Sequence, residues 1–139
     1  MAEIKISDLS IGDWVRHTFY EENLQIKRID GESERLLVEK GLMSVSCHLD
    51  HFEPIPLTPE ILEKNGFVRG EYSEIGVYNE WEIGEWSDPP YVSVRLDIDR
   101  QVIRVTNRGR DMFIAEKEVF VHQLQHALRL AGVEKEIEV

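Results

Sequence analysis

Cysteine occurs once in the 139 residues, at Cys47. No disulfide can form within the chain, and a reducing compartment is expected, with the cytoplasm as the location. The start, MAEIKISDLS, has no apolar run behind a basic head, and nothing in the chain approaches the roughly 20 apolar residues of a membrane helix. Neither export by a classical signal nor membrane embedding is expected. Positive charge is scarce, with 16 Lys and Arg against 27 Asp and Glu and a net charge of -11. The deficit is spread: residues 1–57 hold 6 basic and 11 acidic groups, and residues 58–139 hold 10 and 16. Such a balance repels phosphate backbones, so nucleic-acid binding is disfavoured unless a local patch overrides the total. The chain also lacks a Gly-rich phosphate loop, a nucleophile elbow and a metal-ligand quartet. Neither enzymatic activity nor a cofactor is expected.

The remaining composition, 42% hydrophobic and 31% charged, is that of a globular protein able to bury roughly two-thirds of its unfolded surface. Three of its five prolines, Pro54, Pro56 and Pro59, fall in one stretch that divides the chain. There Thr58 is the expected N-cap, Pro59 occupies the first helical position and Glu60 faces the positive dipole end. Leu57 and Leu62 form a hydrophobic staple. Asn65 and Gly66 supply the stop, and Phe67 can fold back onto Leu62.

Before this connector, strands are expected from Trp14 and over residues 24–29, 35–39 and 42–47, with a last one near Ile55. Turns are expected at Glu21-Glu22-Asn23, Asp30-Gly31-Glu32, Lys40-Gly41 and residues 48–52. Short strands at this spacing suggest an SH3-like small β-barrel over residues 1–57. Residues 58–139 are expected to form an α+β domain: connector helix 58–65, an antiparallel sheet over about 71–115 and a helix over about 116–131. The best strand spans residues 91–98, where Val92, Val94, Leu96 and Ile98 alternate with polar positions. If Asp99-Arg100 is a two-residue turn, Leu96 faces Ile103, Val94 faces Val105 and Arg95 faces Arg104. In the helix, Phe120, Leu124, Leu128 and Ala131 recur at helical spacing, and Gly132 ends it. The apolar anchors flanking the connector predict two halves packed as one rigid unit.

Four clusters bear chemistry. His122 and His126 have the spacing of two metal ligands, but the sequence is HQLQH: Gln123 replaces the glutamate of a zinc hydrolase and no third ligand is near. Both histidines are expected away from the apolar stripe, and no metal site is assigned. Cys47-His48-Leu49-Asp50-His51 gathers potential ligands, or a Cys-His nucleophile pair, that would split between the two faces of a strand and converge only in a turn. A structural cysteine is expected there. Residues 72–91 interleave Tyr72, Tyr78, Trp81, Trp86 and Tyr91 with carboxylates such as Asp88, and hold no Lys or Arg. Aromatics with an acidic rim suit a protein contact, with Trp86, Tyr78 and Asp88 as candidate binding residues. Arg95 opposite Arg104 is destabilising unless an anion lies over the pair. That anion is either a neighbouring Glu80 or Glu82, or a bound ligand.

Three blocks, ISDLSIGDWV (residues 6–15), EPIPLTPEILEKNGF (53–67) and VHQLQHALRLAGVEKEI (121–137), resemble an uncharacterised family of short proteins from prophage-like and mobile-element regions of gut bacteria. The resemblance implies a cytoplasmic accessory protein of bacterial or phage origin and carries no catalytic residue, cofactor or partner. The expected function is non-enzymatic: recognition of another protein, centred on Trp86. The alternative is a nucleic-acid-associated regulator using the barrel or the arginine hairpin. An R95Q/R104Q double substitution separates the two roles of the arginine pair. Loss of thermal stability is the expected outcome, and unchanged stability with loss of an anionic ligand contradicts it.

Overall fold

The computed structural model describes residues 4–69, 80–85, 92–97, 102–107, 110–115, 119–131 and 136–139. The chain is α+β and divides into two compact units, Met1–Ile55 and Pro56–Val139.

In the first unit, β1 (Trp14–His17), β2 (Glu22–Asp30), β3 (Arg35–Lys40), β4 (Met43–His48) and β5 (Phe52–Glu53) form one antiparallel sheet. Its order is β4-β3-β2-β1-β5, and it curls into a half-barrel. Alternation selects the inner face, because successive side chains of a strand point to opposite sides. Val15, Leu24, Ile26, Leu36 and Val38 are fully buried, and Leu9, Leu49 and Phe52 complete the same core. Between Ile26 and Arg28 the β2 register slips, so Lys27 is the extra residue of a bulge, which bends the strand.

A short 3-10 turn, Ile6–Asp8, precedes β1, and the block SIGD then reverses the chain. Asp13 N–H donates to the Ser10 carbonyl at 3.1 Å and Gly12 has φ +93°. This is a type II turn, whose third position favours glycine. The Asp13 carboxylate, fully buried, accepts the Ser10 N–H at 2.8 Å.

Three sequence expectations shift in this unit. The first turn falls at residues 18–21, earlier than Glu21-Glu22-Asn23, and Leu42 belongs to the Gly41-Leu42 turn instead of a strand. The last strand is Phe52–Glu53 and not near Ile55, because β1 offers its pairing positions at Arg16 and His17, opposite Glu53 and Phe52.

In the second unit, α1 (Pro59–Lys64) has the ends its sequence specifies. Ile61 N–H donates to Thr58 Oγ1 at 3.3 Å. Gly66, at φ +81°, donates to the Glu63 carbonyl, and Phe67 N–H donates to the Leu62 carbonyl. These two bonds are the Schellman pattern. Strands β6 (Val68–Arg69), β7 (Glu80–Glu85), β8 (Val92–Asp97), β9 (Val102–Asn107) and β10 (Arg110–Ala115) form a second antiparallel sheet in the order β10-β9-β8-β7-β6. The helix α2 (Val121–Ala131) packs on β8, β9 and β10. Ile103 of β9 and Leu124, Ala127 and Leu128 of α2 are buried.

Helix α2 starts at Val121, not near Glu116. Phe120 is held extended by a bridge to Pro56, and the Val119 carbonyl accepts the Leu57 N–H at 3.3 Å, so this stretch is committed to a strand-like contact. Gln123, third in the helix, closes the end by accepting the Phe120 N–H at 2.9 Å, as the second half of a capping box does.

The C-terminal residues are fastened to α1 by one buried side chain. Asn65 donates through Nδ2 to the Ile61 and Glu138 carbonyls, both at 2.7 Å, and its Oδ1 accepts the Glu138 N–H at 2.7 Å. Next to Glu138, Ile137 is buried. Asn65→Ala removes all three bonds, although the Ile61 carbonyl keeps the Asn65 N–H, so a loss of about 1–2 kcal/mol is expected in urea unfolding. A change below about 0.5 kcal/mol would show that this clamp adds no stability.

Candidate functional site

The first unit gathers its reactive side chains at the β1–β2 end. His17, the last residue of β1, is only 2% exposed. Its position alternates inward with Val15, and the ring fills the end of the core against Phe52, whose ring lies edge-on at 5.1 Å. The His51 ring stacks parallel to it at 5.8 Å, and Tyr20 tilts over it at 4.5 Å. Cys47 reaches the cluster from β4, with Sγ 3.4 Å from His17 Nε2.

The tautomer of His17 follows from its partners. The backbone N–H groups of Phe19 and Tyr20 point at Nδ1, at 3.2 and 3.3 Å. An amide N–H can only donate, so Nδ1 accepts and the ring proton sits on Nε2. Nε2–H therefore donates to the Cys47 sulfur. A nucleophilic Cys-His pair needs the opposite arrangement, in which the imidazole nitrogen facing the thiol is empty and takes its proton. Burial, and then the neighbouring His51, lower the His17 pKa from 6.5, in keeping with a neutral ring.

The two amides held by His17 belong to the loop of residues 18–21, which carries the exposed aromatics. Phe19 is 79% exposed and Tyr20 46%, with ring centroids 5.2 Å apart and edge to face. Thr18 ties the loop to the 3-10 turn Leu49–His51 by donating its N–H to the His51 carbonyl at 2.9 Å. Glu21, closing the loop, has φ +51°; a left-handed conformation costs a non-glycine residue roughly 1 kcal/mol. Lys40 at the end of β3 pairs with Glu22 at the start of β2, at 3.3 Å. The Gly41-Leu42 turn therefore lies at the same end as the loop, and Leu42 is fully exposed. Phe19, Tyr20 and Leu42 make this end apolar, with Glu21 and Glu22 beside them.

The 3-10 turn at Leu49–His51 brings His51, though not His48, to Cys47's side of the sheet, through the shared neighbour His17. His48 instead caps that turn, with Nδ1 accepting the Asp50 N–H at 3.2 Å. The same Nδ1 lies 3.3 Å from Asp50 Oδ2; while it accepts the N–H it holds no proton to give the carboxylate, so the two contacts are alternatives. In the second unit, His122 is 5% exposed, not on a solvated face. Its ring stacks parallel to Phe120 at 6.0 Å and lies 5.8 Å from His126. Among the described residues, no group of three or more His, Cys, Asp and Glu side chains is arranged to hold a metal ion.

Arg95 and Arg104 are direct Cα partners on β8 and β9, in the register expected from the sequence. Glu82 is the partner of Arg95 on β7, and Glu80 stands opposite Asp97. The backbone row therefore runs Glu82, Arg95, Arg104, one residue out of step with Trp81, Leu96 and Ile103. Trp86, Tyr78 and Asp88, and the Ile98 to Gln101 pairing, lie outside the described residues. His17, Phe19 and Tyr20 carry the site in the first unit, and no sequence motif marks them. The one local signal is a histidine two and three residues ahead of adjacent aromatics, where a turn was not expected.

Because the folded-state pKa of His17 is lowered, the unfolded chain binds this proton more readily. Its contribution to stability is complete above the unfolded value near 6.5 and is lost as pH falls toward the lowered folded value. The urea midpoint should drop between about pH 7 and about pH 5, and the drop should shrink in His17→Asn. A wild-type midpoint that does not fall would contradict a buried, neutral His17. Set beside known proteins, the chain matches no family model, no curated protein sequence and no solved structure.

Proposed function

We propose that this is a non-enzymatic binding protein that recognises another protein through the Phe19, Tyr20 and Leu42 end of an SH3-like small barrel. The carrying observation is the exposed Phe19-Tyr20 pair on a loop whose amides are fixed by His17. Aromatic side chains give large contact area at small entropic cost, and a loop held in place beforehand loses less on binding. The barrel reading rests on the order β4-β3-β2-β1-β5 with a 3-10 turn ahead of β5. The Nε2–H tautomer of His17 facing Cys47 supports a role without nucleophilic chemistry.

The partner is an extended segment rich in Lys and Arg. Glu21 follows the aromatic pair, with Glu22 behind it in an exposed pair with Lys40, and the chain carries a net charge of -11. A cationic side chain over an aromatic face, with a carboxylate beside it, gains from both. The aromatic and acidic residues around Trp86, Tyr78 and Asp88 have the same chemistry and form the second proposed contact. An accessory protein of phage or mobile-element origin, which the resemblance of the three blocks implies, is part of this proposal. A nucleic-acid-associated regulator, using the barrel or the Arg95 and Arg104 hairpin, is the alternative.

Synthetic Lys/Arg-rich and Asp/Glu-rich peptides of matched apolar content test the proposal. Binding of the basic set is expected, weakened about tenfold or more by F19A/Y20A, and Trp86→Ala tests the second contact separately. Preference for the acidic set, or basic-peptide binding unchanged in F19A/Y20A, contradicts the surface. Salt-sensitive binding to oligonucleotides at about 50 mM salt, without peptide binding, favours the alternative.

A further inference from the structure

Thr18 ties the start of the loop to the His51 carbonyl, but the Phe19 and Tyr20 amides share one ionisable atom. Nδ1 of His17 accepts both loop amides, and it is also where a second proton would add to the neutral ring. Its lone pair cannot hold a proton and accept an N–H at once. We propose that His17 is a proton-operated latch, in which protonation at Nδ1 releases residues 19–21 and changes how Phe19 and Tyr20 are presented, while Thr18 stays bonded to the His51 carbonyl and the core of the sheet stays folded.

The surroundings favour a two-state response. The titratable groups packed around His17 are His51 from the 3-10 turn, Cys47 from β4 and Tyr20 from the loop. None of them is a carboxylate, and His51 opposes a charge on His17. The Cα partners of His17 are Glu22 on β2 and Phe52 on β5. Of the neighbouring carboxylates, Glu22 is taken by Lys40 and Glu53 by Arg16, the residue before His17, each at 3.3 Å, while Glu21 in the loop and Asp50 in the 3-10 turn are exposed to solvent. A buried imidazolium without a carboxylate is costly, and the inexpensive relief is for the ring to turn toward water. The loop can follow it, since residues 18–21 contribute nothing to the buried core and Glu21 leaves a left-handed conformation on release. Lowering of the His17 pKa by burial and by His51 sets the transition below the ordinary histidine range.

The consequence for binding rests on the Phe19-Tyr20 surface proposed above, whereas the latch is read without a partner, so the two ideas fail separately. Imidazole and amide NMR of the wild-type protein from about pH 7.5 to about pH 4.5 provides the test. The expected result is an Nε2–H tautomer at high pH. As His17 titrates, the Phe19 and Tyr20 amides should shift and lose exchange protection about tenfold or more, with Leu24 and Val38 still protected. His17→Asn, whose Oδ1 accepts amides without titrating in this range, should keep the loop ordered and abolish its pH response. Four results overturn the latch: loop amides that do not change while His17 titrates, loop and core losing protection together, His17 not titrating before the protein unfolds, or an unaltered loop response in a folded His17→Asn.

Discussion

A backbone amide removed from water without a partner costs on the order of 1–3 kcal/mol, and at three chain reversals here the partner is a buried polar side chain. Asp13 accepts the Ser10 N–H in the turn ahead of β1. His17 accepts the Phe19 and Tyr20 amides after it. Asn65 closes α1 and holds Glu138 from both sides. Each is at most 3% exposed. Thr58 and Gln123 close helix ends in the same way from half-buried positions, whereas these three side chains hold their reversals from within the fold.

His17 is the one of the three whose acceptor is an imidazole nitrogen, which stops accepting when it takes up a proton. Asn65 has no charge to change. A histidine anchoring two amides thus couples the shape of an exposed loop to proton concentration, which an asparagine in the same place would not. The ring also orients its other nitrogen toward Cys47, so one choice of tautomer both holds the loop and withholds a base from the thiol.

Much of the fold was legible because its signals are local. Thr58, Pro59, Gly66 and Phe67 specify both ends of α1 within one short stretch, and every bond they imply is present. Alternation of apolar residues in β8 and β9 is strict enough that a one-residue slip would turn every side chain over, so the pairing of Arg95 with Arg104 could be read from the sequence. The candidate site was less legible. His17 is an isolated histidine at the end of a short strand, and its partners Cys47 and His51 are thirty or more positions away. Phe19 and Tyr20 have strand propensity, yet they lie in the turn because β2 already begins at Glu22.

Sequence by itself determined the α+β class, the capped connector helix, the strand alternation and the net negative charge, since these follow from neighbours within a few positions or from composition. Tertiary structure decided the rest. The start of α2 at Val121 depends on a bridge from Phe120 to Pro56, and the burial of His122 depends on what packs against that helix. The environment of His17 depends on bringing β4, the 3-10 turn and β5 to the end of β1. Such contacts join residues far apart in the chain, and no local propensity or spacing encodes which of them will meet.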